Sequence, residues 1–256
     1  MKTYIINFSP TGTTKAVLES IAEGIGNETI TYDLTLPDSS VQANITDGIA
    51  LFGIPVYAGR VPLVCAERMK NITSDGAPAV AVAVYGNRAY EDALVELRDL
   101  ISAAGFNVIA GGAFIGEHSY SSAEKPVAQG RPDSADRQKA NDFGSMVSDK
   151  VKSGRTQTPD MNGNVPYKER MGIKGVTPQT KTDICGACGT CVSVCPTDAI
   201  TIETTASSDA DKCVMCCACI KQCPSDARYI AHPGILERID MLYKNCSARK
   251  EPELFI

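Results

Sequence analysis

Eight of the 11 cysteines, Cys185, Cys188, Cys191, Cys195, Cys213, Cys216, Cys219 and Cys223, fall within 39 residues of a 256-residue chain. The run Ile184–Ala199 realigns on Lys212–Ala227 at an offset of 28 residues, superimposing four cysteines, a proline, an aspartate and an alanine. Each half reads Cys-x2-Cys-x2-Cys-x3-Cys-Pro and is too short to bury a core of its own. Three thiolates at this spacing can wrap three corners of an iron–sulfur cubane, leaving the fourth iron to a cysteine from elsewhere. Zinc favours two separated Cys-x2-Cys pairs instead, and a disulfide framework suits a short secreted chain. Here Met1–Phe8 runs straight into a strand-like segment with no signal peptide. The longest apolar stretch, Ala77–Tyr85, contains a proline and falls far short of the ~20 residues that span a bilayer. These features predict a cytoplasmic protein without a membrane partner, with reduced thiols available for metal. A net charge of −5 lacks the basic excess of a nucleic-acid binder.

The first 155 residues carry a different signal. Strand-like runs at Thr3–Phe8, Thr29–Leu34, Ile49–Ile54, Ala79–Tyr85 and Val108–Ile115 alternate with helical periodicity, as in Val17, Ile21 and Ile25 or Leu94, Leu97, Ile101 and Ala104. A last helix is expected at Ser134–Val151, with Phe143, Val147 and Val151 on one face. The central runs are almost continuously apolar, as parallel strands covered on both faces require. The expected fold is an α/β doubly wound parallel sheet of about five strands over residues 1–155. A linker follows at 156–182, where Pro159, Gly163, Pro166, Gly172, Gly175 and Pro178 break any long period. Residues 183–232 form the cysteine region, expected to be a small α+β domain, and 233–256 a short helix (Ile235, Ile239, Leu242) and tail.

Three loops follow strands of this sheet, where open α/β sheets bind ligands. Ser9-Pro10-Thr11-Gly12-Thr13-Thr14 offers four hydroxyls and a glycine at the opening of the first helix, a suitable phosphate cradle from which Pro10 withholds an N–H. Pro55-Val56-Tyr57-Ala58-Gly59 ends the third strand, and Tyr85-Gly86-Asn87-Arg88-Ala89-Tyr90 ends the fourth. The loops resemble those with which flavodoxins hold FMN. The resemblance implies phosphate contacts from Ser9, Thr11, Gly12, Thr13 and Thr14 and ring contacts from the other two loops. Tyr57 and Tyr90 are the stacking candidates, in a chain without tryptophan. Asn87 would meet the ring's polar edge, and the Ala58–Gly59 peptide would face flavin N5. His118, in Gly116-Glu117-His118-Ser119-Tyr120 after the fifth strand, would lie near the flavin or at the domain junction.

The cysteine region closely resembles the two-cluster bacterial ferredoxins, in which the fourth cysteine of each run ligates the other cluster. That resemblance implies two 4Fe–4S clusters, one on Cys185, Cys188, Cys191 and Cys223, the other on Cys213, Cys216, Cys219 and Cys195. Ala199, Ile200, Ile202 and Ile230 would form part of the apolar shell. Cys65, with Val61 and Met69 at helical spacing, and Cys217, whose use would break the ligand register, read as packing residues. Cys246 has no assigned role. The whole chain is similar to flavodoxin–ferredoxin fusion proteins, a family found mainly in anaerobes; Gly130-Arg131-Pro132-Asp133 and the tail Arg249–Phe255 extend the match. The resemblance implies a carrier that passes single electrons between the clusters and FMN, coupling redox partner proteins. Two rivals are an FMN-dependent reductase of a small acceptor, with His118 or Tyr120 as proton donor, and a ferredoxin with a flavin-free docking domain. No Gly-x-Gly-x-x-Gly loop is present, so direct NAD(P)H oxidation is not expected. A monomer and a homodimer are equally compatible with the composition.

Overall fold

The computed structural model describes all residues except 39–40 and 172–174, so Gly172 of the predicted linker lies outside the described residues. In the N-terminal half, β1 (Lys2–Asn7) leads to α1 (Thr13–Ile25), β2 (Glu28–Asp33), β3 (Ala43–Ile45) and β4 (Ile49–Pro55). Then come α2 (Leu63–Met69), β5 (Ile72–Ser74), β6 (Pro78–Tyr85), α3 (Ala93–Ala103), β7 (Asn107–Ile115) and α4 (Ser134–Lys152). The cysteine region is built from β8 (Gln179–Thr180), α5 (Thr190–Ser193), β9 (Ile200–Ile202), β10 (Ala206–Ser208), α6 (Ala218–Lys221) and β11 (Arg228–Tyr229). The chain closes with α7 (Pro233–Asn245) and β12 (Glu253–Phe255).

The main sheet runs β12-β7-β6-β4-β1-β2. Its five parallel strands, numbered among themselves, stand in the order 2-1-3-4-5, the flavodoxin-like form of the doubly wound sheet. The strand order reverses at β1, which lies between β2 and β4. The expectation of about five strands needs one addition. The tail forms a sixth, β12, antiparallel to β7, with Leu254 opposite Gly112. A three-residue strand carries too little pattern to be seen in sequence; its place is set by pairing with an otherwise open edge.

Both sheet faces are covered, which is why β4 and β6 are apolar throughout. Phe8, Phe52, Ile54, Leu94, Leu97 and Ile101 lie in the core on one face. Val17, Ile21, Ile25, Phe114, Phe143 and Val147 lie in the core on the other. On that second face α1 and α4 pack backbone to backbone. A methyl at Gly24 would stand 1.9 Å from the Asn141 carbonyl oxygen, so only glycine permits this contact. Asp133 caps α4 by accepting from Asp136 N–H, and Asp136 returns the bond to the Asp133 backbone.

The predicted linker packs closely on the first half. Met161 is part of its core, Asp92 accepts from the backbone N–H of Asn164 and Lys168 at 2.8 and 2.7 Å, and Glu96 pairs with Arg60 and Arg170. Among the described residues no helix is long and apolar enough to cross a membrane.

Candidate functional site

The 28-residue repeat is conformational as well as sequential. Ala187, Gly189 and Asp198 take positive φ values of 50°, 83° and 49°, and Met215, Cys217 and Asp226 repeat them at 52°, 63° and 52°. In each half a single helical turn, α5 or α6, carries the third cysteine and delivers the fourth. The backbone N–H of Ala199 donates to Cys195 Sγ and that of Ala227 to Cys223 Sγ, both at 3.3 Å. Thr197 and Ser225 set hydroxyls beside the same two sulfurs, at 3.8 and 3.7 Å. Hydrogen bonds to sulfur of this kind tune an iron–sulfur cluster.

One thiol of the first half stands with three of the second. Cys195 acts electrostatically on Cys213, Cys216 and Cys219, while Cys188 feels Cys223 and Cys191 feels Cys185. One cavity is lined by Cys195, Cys213, Cys216 and Cys219 together with Cys217 and Met215. This is the second predicted ligand set, and the donors present fit an iron–sulfur cluster. Its members are buried or half-buried. In the other set Cys188 is exposed, Cys185 and Cys223 are half-buried and only Cys191 is buried. Burial pushes the Cys216 thiol up to about 12 and that of Cys219 to about 11. Hydrogen bonds from Thr190 lower Cys188 instead. Among the described residues no group of three or more His, Cys, Asp or Glu side chains is drawn together as a site for a single metal ion.

Cys65 and Cys217 are each 1% exposed, in keeping with packing roles. Cys217 begins α6 at positive φ, where the first half has Gly189. Cys246 is half-buried, and its carbonyl accepts from Asn87.

The three strand-end loops lie side by side. Gly12 begins α1 at φ 82° with nothing near its missing side chain. Ser9 Oγ accepts from Lys15 N–H at 3.0 Å, and Ser9 N–H donates to Thr35 Oγ1. Thr13 packs against Gly116 of the fifth-strand loop. Thr14 Oγ1 and both polar atoms of the Asn7 side chain are buried and have no hydrogen-bond partner. An open cradle at a helix N-terminus, flanked by unpaired buried polar atoms, fits a phosphate. Thr11 is half-buried beside it.

Val56 N–H donates to Val84 O at 3.0 Å, which carries Pro55 and Val56 on from the sheet. Tyr57 and Arg60 close a tight turn by mutual backbone bonds, with Ala58 at φ 50° and Gly59 at φ 81°. Two positive φ values in succession make a type I′ turn. Gly59 lies against Glu91, and its carbonyl accepts from Asp92 N–H. Arg88 pairs with Glu91 at 2.7 Å.

The tail takes up two residues that were expected to face a flavin. Asn87 Nδ2 donates to the carbonyls of Cys246 and Ala248 at 2.6 and 2.8 Å. Tyr90 stacks obliquely on Tyr85 and donates its hydroxyl to Glu253 at 2.6 Å. Both are buried by a segment whose path the sequence does not reveal.

His118 packs on Gly86, and its Nδ1 accepts from Tyr120 N–H at 3.0 Å. Burial, aided by the charges of Arg88 and Lys221, lowers it from 6.5 to about 4. The neutral ring is the folded form. Its contribution to stability is therefore present above pH 6.5 and lost as pH falls toward 4. Denaturation between these pH values should show a loss of up to about 3 kcal/mol that His118→Gln flattens; an unchanged slope in the variant would assign the loss to other groups.

The cysteine region sits against these loops. Arg68 Nη2 donates to the carbonyl of Pro196, next to Cys195, at 2.6 Å, while its Nη1 holds the carbonyls of Leu34 and Thr35. Lys221 bonds Glu117 and the Ser121 carbonyl at 2.6 and 2.7 Å. Tyr120 joins an apolar cluster with Met215, Cys213, Val176, Ile235 and Ile239. Burial raises the Tyr57 hydroxyl well above its usual value, and the nearby Cys216 and Cys217 add to the effect. Gln222, beside Cys223, reaches the Pro10 carbonyl at 3.5 Å.

The 4Fe-4S binding domain family matches residues 178–201. No curated protein sequence matches the chain. Among solved structures, the chain is similar to a flavodoxin from the domain Archaea at 17% identity and TM-score 0.41, over 59% of this chain and 99% of that one. It is similar to the flavodoxin of Streptococcus pneumoniae TIGR4 at 14% identity and TM-score 0.42, over 59% and 100%. It also resembles the rubredoxin oxygen:oxidoreductase of the anaerobe Desulfovibrio gigas at 14% identity and TM-score 0.39, over 59% and 36%. With the strand order of its sheet and the match across its cysteines, the chain joins a flavodoxin-like N-terminal domain to a 4Fe–4S binding domain in its C-terminal part.

Proposed function

We propose that the protein is an electron carrier in which two 4Fe–4S clusters and one FMN share a fixed frame, passing electrons between partner proteins. One observation supports this above the rest: a four-thiol unit occurs twice with the same backbone, and the more buried thiol set abuts the loops at the carboxyl ends of the sheet. Cys185, Cys188, Cys191 and Cys223 would hold one cluster, and Cys195, Cys213, Cys216 and Cys219 the other. The start of α1, with Ser9, Thr11, Gly12, Thr13 and Thr14, would hold the FMN phosphate, and Tyr57 with Gly86 and Arg88 would flank the ring. When bound, the clusters supply single-electron transfer and the flavin accepts one electron or two.

The chain's own residues set the direction of access. Exposed Cys188 makes the outer set the natural point of contact with a partner protein. Tyr57 and Tyr120 exclude water between the inner set and the strand-end loops. The tail covers Asn87 and Tyr90.

Protein purified without oxygen should contain about eight iron atoms and eight acid-labile sulfides per chain, with one FMN. Zinc in place of iron would overturn the cluster assignment. Iron and sulfide without flavin would reduce the first domain to a dock.

A further inference from the structure

The two halves of the repeat share a backbone but differ in charge at one buried position. Ile200 of the first half, 7% exposed, superimposes on Arg228 of the second, 3% exposed. Their strands pair in equivalent ways. Ile200 stands opposite Ser208 and Arg228 opposite Thr180, and Thr180 and Ser208 are themselves one repeat apart. A guanidinium therefore lies where the fold's internal copy has hydrocarbon.

Arg228 Nη1 donates to Thr180 Oγ1 at 2.5 Å and to Ala206 O at 3.3 Å, and Nη2 donates to Ser208 Oγ. All three acceptors are neutral oxygens. Its Nε is buried and has no hydrogen-bond partner. A buried cation without an anion close by burdens a fold heavily, so this site calls for negative charge. The thiols lie beside it. Ala206, whose carbonyl accepts from Arg228, packs in one cluster with Cys191, Cys195 and Cys219. Ala227, the residue before Arg228, donates its N–H to Cys223 Sγ. Cys195 and Cys219 belong to the inner set, Cys191 and Cys223 to the outer, so Arg228 lies next to both.

We propose that Arg228 is the counter-charge of both thiolate cages and raises the reduction potential of the clusters they would hold. This rests on the cluster reading given above. Each cluster that is reduced gains one electron from an external reductant and one unit of negative charge. A fixed cation stabilises the reduced form, and does so strongly in an interior of low dielectric.

The test is an anaerobic potentiometric titration of the full-length holoprotein, reduced with dithionite through mediators, each cluster being followed by its paramagnetic resonance. The variants are Arg228→Gln, Arg228→Ile (the residue of the other half) and Arg228→Lys. In the Gln and Ile variants the reduced-to-oxidised ratio of one cluster at fixed potential should fall at least tenfold, a shift of 59 mV for one electron. The other cluster should move in the same direction, and the Lys variant should stay near wild type. Loss of iron from the Gln and Ile variants alone would support the counter-charge equally. Unchanged potentials in fully loaded Gln and Ile variants would overturn it. So would equal loss of iron from the Lys and Gln variants, which would make the residue one of packing. Wild-type protein without acid-labile sulfide would sink the cluster reading itself, before Arg228 is tested.

Discussion

Cys223→Ser is expected to empty the outer thiol set, whose other three members all belong to the first half of the repeat. About half of the iron and sulfide should be lost, and the paramagnetic signal of the inner cluster should persist. Cys195 lines one cavity with Cys213, Cys216 and Cys219, and the proposed assignment leaves Cys223 to the remaining three thiols. The reciprocal change, Cys195→Ser, should be harsher. Cys195 shares an apolar cluster with Cys191, Cys219, Ala199, Ile200 and Ala206, which is the core of that small region. A region of this size has little apolar area to fall back on. Loss of both clusters and rapid proteolysis after residue 178 are expected. If Cys223→Ser instead emptied the set of Cys213, Cys216 and Cys219, each half would hold its own cluster and the crossed assignment would be wrong.

Asp136→Ala should be the most destabilising single change in the first domain outside its apolar core. Asp136 is 2% exposed and forms a two-pronged ion pair with Arg131, itself 6% exposed. Removing the carboxylate leaves a guanidinium buried without its partner, which costs about 3–5 kcal/mol. The returning bond of the capping box is lost as well. Arg131 also donates to the Lys250 carbonyl, and Arg249 reaches Asp136 at 3.1 Å, so the tail should loosen with the pair. Denaturant unfolding would measure the first effect, and amide exchange over residues 249–255 the second. The double change Arg131→Met with Asp136→Leu should recover much of the stability, because it removes both charges together. A loss below about 1 kcal/mol for Asp136→Ala would mean that water reaches Arg131.

The central parallel strands were legible because burial on both faces leaves an unbroken apolar run, and all five run within two residues of their predicted bounds. The doubled four-cysteine unit was legible because a repeat with identical spacing folds alike twice, whereas the crossed pairing is what the resemblance to two-cluster ferredoxins implies. The tail was not. Glu253, Leu254 and Phe255 have no period of their own and become a strand only because β7 would otherwise present an open edge. For the same reason the occupation of Asn87 and Tyr90 could not be foreseen: their partners lie about 160 residues away in the chain. Arg228 faces Ile200 across the repeat, a mismatch that acquires meaning only when its burial is known.

The cysteine-rich module is moored at two points. The segment before it lies against Asp92, Asp99 and Glu96, and the segment after it completes the sheet beside β7. A payload on one tether sweeps a volume, and its encounters are limited by diffusion; a payload tied fore and aft keeps one separation from its neighbour. Under the proposed function, charge transfer within this molecule would be a matter of fixed tunnelling distance rather than of a swinging arm, and the sluggish step would shift outward, to collision with the next molecule.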